Sequence, residues 1–267
     1  MGPFIPTSTN NQILSILTPD ECGRLGPHLA YVHLAMGEVL LNPGEPIDFL
    51  LFPEFSMASV VGGDDTGHTA EIGLIGCEGV VGAEVLLGAK KAAHLVNIQL
   101  PGSGYRLAAS AALREFSLGG SFQRNILKFF HVLMTQVSST AMCNALHGLD
   151  DRLARWLLMC HDRFDGDKLP MTQEFLGLMV GVGRPSVSIA AHGMQSDGLI
   201  TYSRGKITIN DRAGLIDRAC GCYEAVTVCR KFHADSRSIS DSVPVAPVKA
   251  GKAGSFSVIG RTAKADQ

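Results

Sequence analysis

Arg184, Ser188, His192 and Gln195 recur at the spacing of one helix face, about 100° per residue, directly after Gly181-Val182-Gly183. Guanidinium, hydroxyl, imidazole and amide groups on one face of a helix match the donors and acceptors that base edges display in a DNA major groove. Ser186 sits in the first turn of the same helix. A bulky acidic face, which would repel phosphates, is missing. Downstream, Arg204 and Lys206 flank Gly205 between two β-branched runs ending at Ile209. That pattern predicts a hairpin whose basic tip suits phosphate oxygens.

These groups need elements to hold them. Thr172 can N-cap a first helix, with Gln173 and Glu174 in its first turn and Phe175, Leu176 and Met179 facing inward. Gly181-Val182-Gly183 then makes a turn, its valine plugging the angle between two helices. The second helix begins at Arg184-Pro185, where a proline costs nothing because first-turn amides have no intrahelical partner. Val187, Ala190 and Met194 point inward. Helix, glycine turn, helix and hairpin in this order read as a winged helix-turn-helix, with Thr172, Gln173, Arg184, Ser186, Ser188, His192, Arg204 and Lys206 as candidate DNA contacts. Another helix, 150–164, precedes it, with Leu153, Trp156, Leu157 and Cys160 on one face. Asp150 and Asp151 sit at its start, where the helix dipole favours carboxylates.

Upstream, Ile13, Leu14, Ile16 and Leu17 precede Thr18-Pro19-Asp20-Glu21, a capped helix start. Short β-rich runs at 38–41, 49–52, 58–61, 70–75, 80–81 and 94–100 alternate with glycine turns and suggest a compact β-sandwich or β-roll. Between Gly120 and His147 the glycines vanish, and Ile126, Phe130, Leu133, Val137, Thr140 and Asn144 follow a four-three spacing. A long helix with such a seam either packs on its own β domain or also pairs with a second copy. Homodimerisation through Ile126, Phe130, Leu133 and Val137 is the expectation. The fold class is therefore α+β, divided into a flexible lead (1–11), a β-roll sensor domain (12–118), a dimerisation helix (119–148), a winged helix-turn-helix (149–228) and a disordered tail (229–267).

The bulk composition bounds the chemistry. With 267 residues, a formal net charge of -2 and 46% hydrophobic residues, the chain is neither a polybasic coat nor an acidic disordered segment, so DNA contact requires a local patch. No apolar run is long enough to span a bilayer and no secretory leader is visible, which makes the cytoplasm the expected compartment. Seven scattered cysteines read as reduced thiols. Cys220-Gly-Cys222 with Cys229 lacks a fourth ligand, so no metal site or cofactor is expected. His131 and His147 lie on the long helix and are expected to be partly buried or interfacial. Neither Asp64-Asp65 in a turn nor Asp150-Asp151 makes a catalytic pair. With no nucleophile-base pairing or phosphate loop either, no enzyme is expected.

From about residue 14 to 211 the chain resembles the Crp/Fnr family of bacterial transcription regulators, most specifically in 172–176, in Arg184-Pro-Ser-Val, in Asp197-Gly-Leu-Ile and in the hairpin. The resemblance implies a double-stranded β-roll of the cyclic-nucleotide-binding type, a long dimerisation helix, and a C-terminal winged helix reading a palindromic operator as a homodimer. Double-stranded DNA and a second copy are the implied partners, with RNA polymerase a further candidate. The best-known members read G·C pairs with a glutamate and a second arginine where this chain has Pro185 and Ile189, so the operator is expected to differ. An effector pocket would involve Gly82 and Glu84 with Ser138 and Ser139. The stretch 82–94 has no arginine for a cyclic phosphate, and Lys90 or Lys91 offers only a point charge, so cyclic AMP is not the expected effector. One cysteine, Cys22, in the N-terminal region cannot hold an iron–sulfur cluster. The alternative to a DNA reader is a protein-interaction module whose helix-turn-helix no longer binds DNA.

Overall fold

The computed structural model describes residues 8–65 and 69–235. The first part of the expected lead and residues 236–267 of the expected tail lie outside that range. Residues 8–11 are not a loose lead: Asn11 is fully buried, and its amide donates to the Pro53 and Gly79 carbonyls, each at 2.9 Å. At the other end a helix extends to Asp235, so the tail begins later than the change in composition suggests.

After a short 3-10 turn at Leu14–Ile16 comes α1 (Pro19–Leu25), where Thr18 and Glu21 form a capping box. Seven antiparallel strands follow in two sheets. One sheet runs β1 (Leu29–Leu34), β7 (Gly102–Ala108), β3 (Phe49–Pro53), and the other β2 (Val39–Leu41), β6 (Leu95–Leu100), β4 (Met57–Gly63), β5 (Thr69–Ile75). Alternation delivers Leu50, Phe52, Ile98 and Leu107 to the space between the sheets. The expected strand at Val80-Val81 is only an isolated bridge from Val81 to Leu51.

Helix α2 (Ala109–Ser117) leads into the long α3 (Gly120–Leu146). Phe122, Ile126 and Phe129 of α3 enter the β-roll core, so one flank of the helix belongs to its own domain. Burial of Ile126, which has no exposed surface, removes it from the expected dimer seam. Phe130 and Leu133 are half-buried against the same core. The stripe left open is shifted by one residue, through Leu127, Met134 and Ala141, with half-buried Phe130 and Val137 at its edge.

The second unit comprises α4 (Leu149–His161), α5 (Gln173–Val180), α6 (Arg184–Ser196), a β8-β10-β9 sheet (Lys168–Leu169, Lys206–Ile209, Ile200–Ser203) and α7 (Arg212–Arg218). Its core takes in Met57, Leu74 and Leu100 of the β-roll, so the two units share one apolar interface. Helix α8 (Cys222–Asp235) returns along α3. It is held to the end of α4 by Asp162, which accepts from Arg230 at 2.9 Å and from the Tyr223 hydroxyl at 3.1 Å. Among the described residues, no helix is long and apolar enough to cross a membrane.

Candidate nucleic-acid interface

Thr172 N-caps α5 as expected, its hydroxyl accepting from the Phe175 amide at 3.2 Å. At the other end Gly181 takes a left-handed conformation (φ 67°) that reverses the chain out of α5. Arg152 of α4 donates to the Val180 carbonyl beside it, satisfying an otherwise orphaned helix-end acceptor. The two helices cross closely because residue 177 is glycine: a Cβ there would lie 2.8 Å from the Val182 carbonyl oxygen.

Helix α6 buries Val187, Ala190, Ala191 and Met194. Burying Ala191 as well as the three expected positions rotates the open face. Pro185, Ser186, Ile189 and His192 now point to solvent, with Arg184 at the helix start, and Ile189 is 75% exposed. Two expected contacts are occupied internally instead. Ser188 is half-buried and donates to the Gln173 side chain at 2.6 Å, and Gln195 accepts from the Tyr202 amide at 2.8 Å. Gln173 is thus a brace between α5 and α6. Ile189, in the sequence only a departure from the family pattern, sits at the middle of the open face.

The wing is a two-residue hairpin. Arg204 (φ 49°) and Gly205 (φ 74°) both adopt the left-handed region, the conformation whose twist suits a tight antiparallel turn. Lys206 pairs with Ser203 at its base. The wing tip lies against the cap of α5: a Cβ on Gly205 would be 3.6 Å from the Thr172 methyl, and the Tyr202 hydroxyl accepts from the Gln173 amide at 3.2 Å. Thr172, Gln173, Ser188 and the wing therefore form one linked surface beside Arg184. Between that surface and the tip of β4–β5 lies an open cleft of about 820 Å³, lined by Thr69, Ala70, Glu174, Gly181 and Arg184 among others.

The expected effector residues do not meet in this way. Gly82 packs on β3, where a Cβ would lie 2.5 Å from the Phe49 carbonyl oxygen, Ser138 is exposed and Ser139 buried. No described hydrogen bond joins Gly82 or Glu84 to either serine. Ala83 and Leu86 belong to the same apolar core as Phe122, Ile126 and Phe129, and the 83–87 turn packs against α2. The cysteine reading also needs correction. Cys229 faces His131 and Thr135, whereas Cys220 and Cys222 meet Cys143 and His147 from the end of α3. Both missing partners come from a distant helix, out of reach of a local spacing rule, although Cys143 and His147 four apart on one helix are a visible half-site.

Residues 151–218 match the Crp-like helix-turn-helix domain. No curated protein matches the chain. Among solved structures, FixK2 from Bradyrhizobium japonicum is 13% identical with a TM-score of 0.63, over 72% of this chain and 98% of its own. TTHB099, a CRP-family transcriptional regulator from Thermus thermophilus, is 18% identical with a TM-score of 0.61, over 70% of this chain and 96% of its own. TTHA1359, a CRP/FNR-family transcriptional regulator from the same organism, is 18% identical with a TM-score of 0.58, over 71% of this chain and 98% of its own. The chain thus carries a Crp-like helix-turn-helix domain on the fold of the Crp/Fnr transcription regulators.

Proposed function

We propose that this protein is a sequence-specific DNA-binding transcription regulator that acts as a homodimer on a palindromic operator. The observation that carries the reading is the linked surface on which the α6 start, the α5 cap and the wing tip converge, held by the Ser188–Gln173 hydrogen bond and by Gly205 beside Thr172. In this reading α6 enters the major groove with Arg184, Ser186, Ile189 and His192, while Thr172, Arg204 and Lys206 grip the flanking phosphates. Ile189 supplies an apolar contact suited to a thymine methyl, a different preference from a carboxylate at the same place. Two copies pair along the open α3 stripe of Leu127, Met134 and Ala141, flanked by Phe130 and Val137.

Binding to duplex DNA, titrated by fluorescence anisotropy over a range of salt concentrations, tests this directly. A DNA reader releases counterions and its affinity falls steeply with salt. The reading as a protein-interaction module draws on the exposed Ile189 and the single arginine of the α6 face. Absence of salt-dependent retention on any duplex would favour it and reject DNA reading.

A further inference from the structure

Cys143 Sγ lies 3.4 Å from Cys220 Sγ, and Cys222 Sγ lies 3.7 Å from His147 Nδ1. All four ligand atoms fall within 4.8 Å of one another. A tetrahedral zinc ion bound by three thiolates and one imidazole has ligand-to-ligand edges of about 3.5–3.8 Å, from Zn–S near 2.3 Å and Zn–N near 2.0 Å. The S···S separation of 3.4 Å and the S···N separation of 3.7 Å each lie within a few tenths of an ångström of the corresponding edge, and no other pair is more than 4.8 Å apart, so small side-chain shifts close the tetrahedron. Cys143 and Cys222 are buried, and Cys220 and His147 are half-buried, so the position at the centre is largely closed to solvent, as in structural rather than catalytic zinc sites.

We propose that Cys143, His147, Cys220 and Cys222 form a closed four-ligand site for zinc. The elements that supply the ligands explain what the ion does. Cys143 and His147 lie one turn apart at the end of α3, immediately before Gly148 passes the chain into α4. Cys220 and Cys222 lie at the junction of α7 and α8. Zinc would fasten the exit of the DNA-reading unit to the end of the helix that carries the open stripe. It would thereby fix the angle at the α3–α4 joint.

Charge at the site has an internal counterpart. Three thiolates and one divalent cation leave one net negative charge. Arg155 of α4 is buried, donates to the Thr140 hydroxyl at 2.9 Å and the Met159 sulfur at 3.2 Å, has an unpaired Nε, and its charge acts on Cys143 and Cys222 as well as on Glu71. A buried guanidinium whose direct partners are a hydroxyl and a thioether is costly, and an anionic metal centre beside it would offset part of that cost. Uptake of one Zn²⁺ by three thiols and a neutral imidazole releases three protons, which makes loading pH-dependent.

The test uses the full chain, purified under reducing conditions without chelator, with metal measured by inductively coupled plasma mass spectrometry. One zinc per chain is expected. Stripping the wild-type protein and adding Co²⁺ should give the intense visible bands of a tetrahedral thiolate site. C143S, C220S and C222S should each fall from one zinc to background, whereas C77S, outside the cluster, should keep it. Because a buried serine can itself unfold the chain, the wild-type cobalt spectrum is decisive. Background zinc in the wild type, a weak octahedral cobalt spectrum, or a Cys143–Cys220 disulfide as the dominant reduced-preparation species would overturn the site.

Discussion

Trp156 of α4 donates its indole N–H to the Glu71 carboxylate of β5 at 2.7 Å, inside the interface between the helix-turn-helix unit and the β-roll. Glu71 is buried, and its other oxygen lies 2.6 Å from the Ser59 hydroxyl. That hydroxyl also contacts the Gln99 side-chain oxygen, and one hydroxyl proton cannot serve two acceptors. A protonated Glu71 that donates to Ser59, which in turn donates to Gln99, satisfies all three groups.

The pH dependence follows. Burial pushes the Glu71 carboxyl up to about 7, against the lowering effect of the Ser59 and Trp156 hydrogen-bond partners and of the Arg155 and Arg163 charges, all of which favour the ionised form. In the unfolded chain it titrates at an ordinary value, so between the two values the folded state holds a proton that the unfolded state has lost. Its stabilisation is complete below the ordinary glutamate range and disappears as pH rises through about 7, at up to about 1.4 kcal/mol per pH unit. E71Q keeps the hydrogen-bonding shape without the proton. Thermal melts should show the wild type losing more stability than E71Q between pH 5 and 8, and equal slopes would eliminate Glu71 as the titrating group.

How far the residues alone reveal this architecture depends on whether a neighbour shares the decision. The cap at Thr172, the turn at Gly181 and the wing at Arg204-Gly205 are local devices, and each appears where its residue type demands. Strands β1 and β7 are not legible because Gly102, Gly104 and the mixed pattern of β1 carry little alternation, and their pairing with each other is what makes them strands. Ser188 looks outward on a wheel but turns to Gln173, a contact only tertiary packing creates. The four-three spacing in α3 is real but cannot say whose core it serves, and Ile126 goes to its own β-roll. Cys143 and Cys220 are 77 residues apart, a separation no spacing rule spans.

The proposed dimer stripe can be separated from that core. Met134 is 66% exposed, so M134E should leave the fold intact while placing a charge in the proposed interface. Sedimentation should show monomers with weakened operator binding. I126E, which buries a charge in the β-roll core, should instead lower the melting temperature by many degrees, consistent with a cost of several kcal/mol. A dimeric M134E protein would reject the stripe.

Cyclic AMP should not bind with physiological affinity. No arginine lies in 82–94, and Ala83 and Leu86 of the 83–87 turn are buried in the apolar core that packs on α2. Calorimetry should register no micromolar binding, and a micromolar isotherm would overturn the packing argument.

Arg184 and Arg204 should fail differently. Arg184 stands at the first position of α6, exposed, at the edge of the face that carries Ile189. There its guanidinium can donate two bonds to guanine O6 and N7, or grip a phosphate at the helix N-terminus. If it reads a base, R184A costs about 1–3 kcal/mol on the preferred operator and relaxes preference at one position of each half-site. If it grips phosphate, all sequences weaken alike and the salt slope becomes shallower by about one unit. Arg204, held at the wing tip by its left-handed turn, should show only the second behaviour. Both variants would be titrated against a randomised operator library at two salt concentrations. Because neither side chain contributes to the core, unchanged circular dichroism is expected for each. If R184A folds normally and alters neither affinity nor preference, α6 is not the reading element.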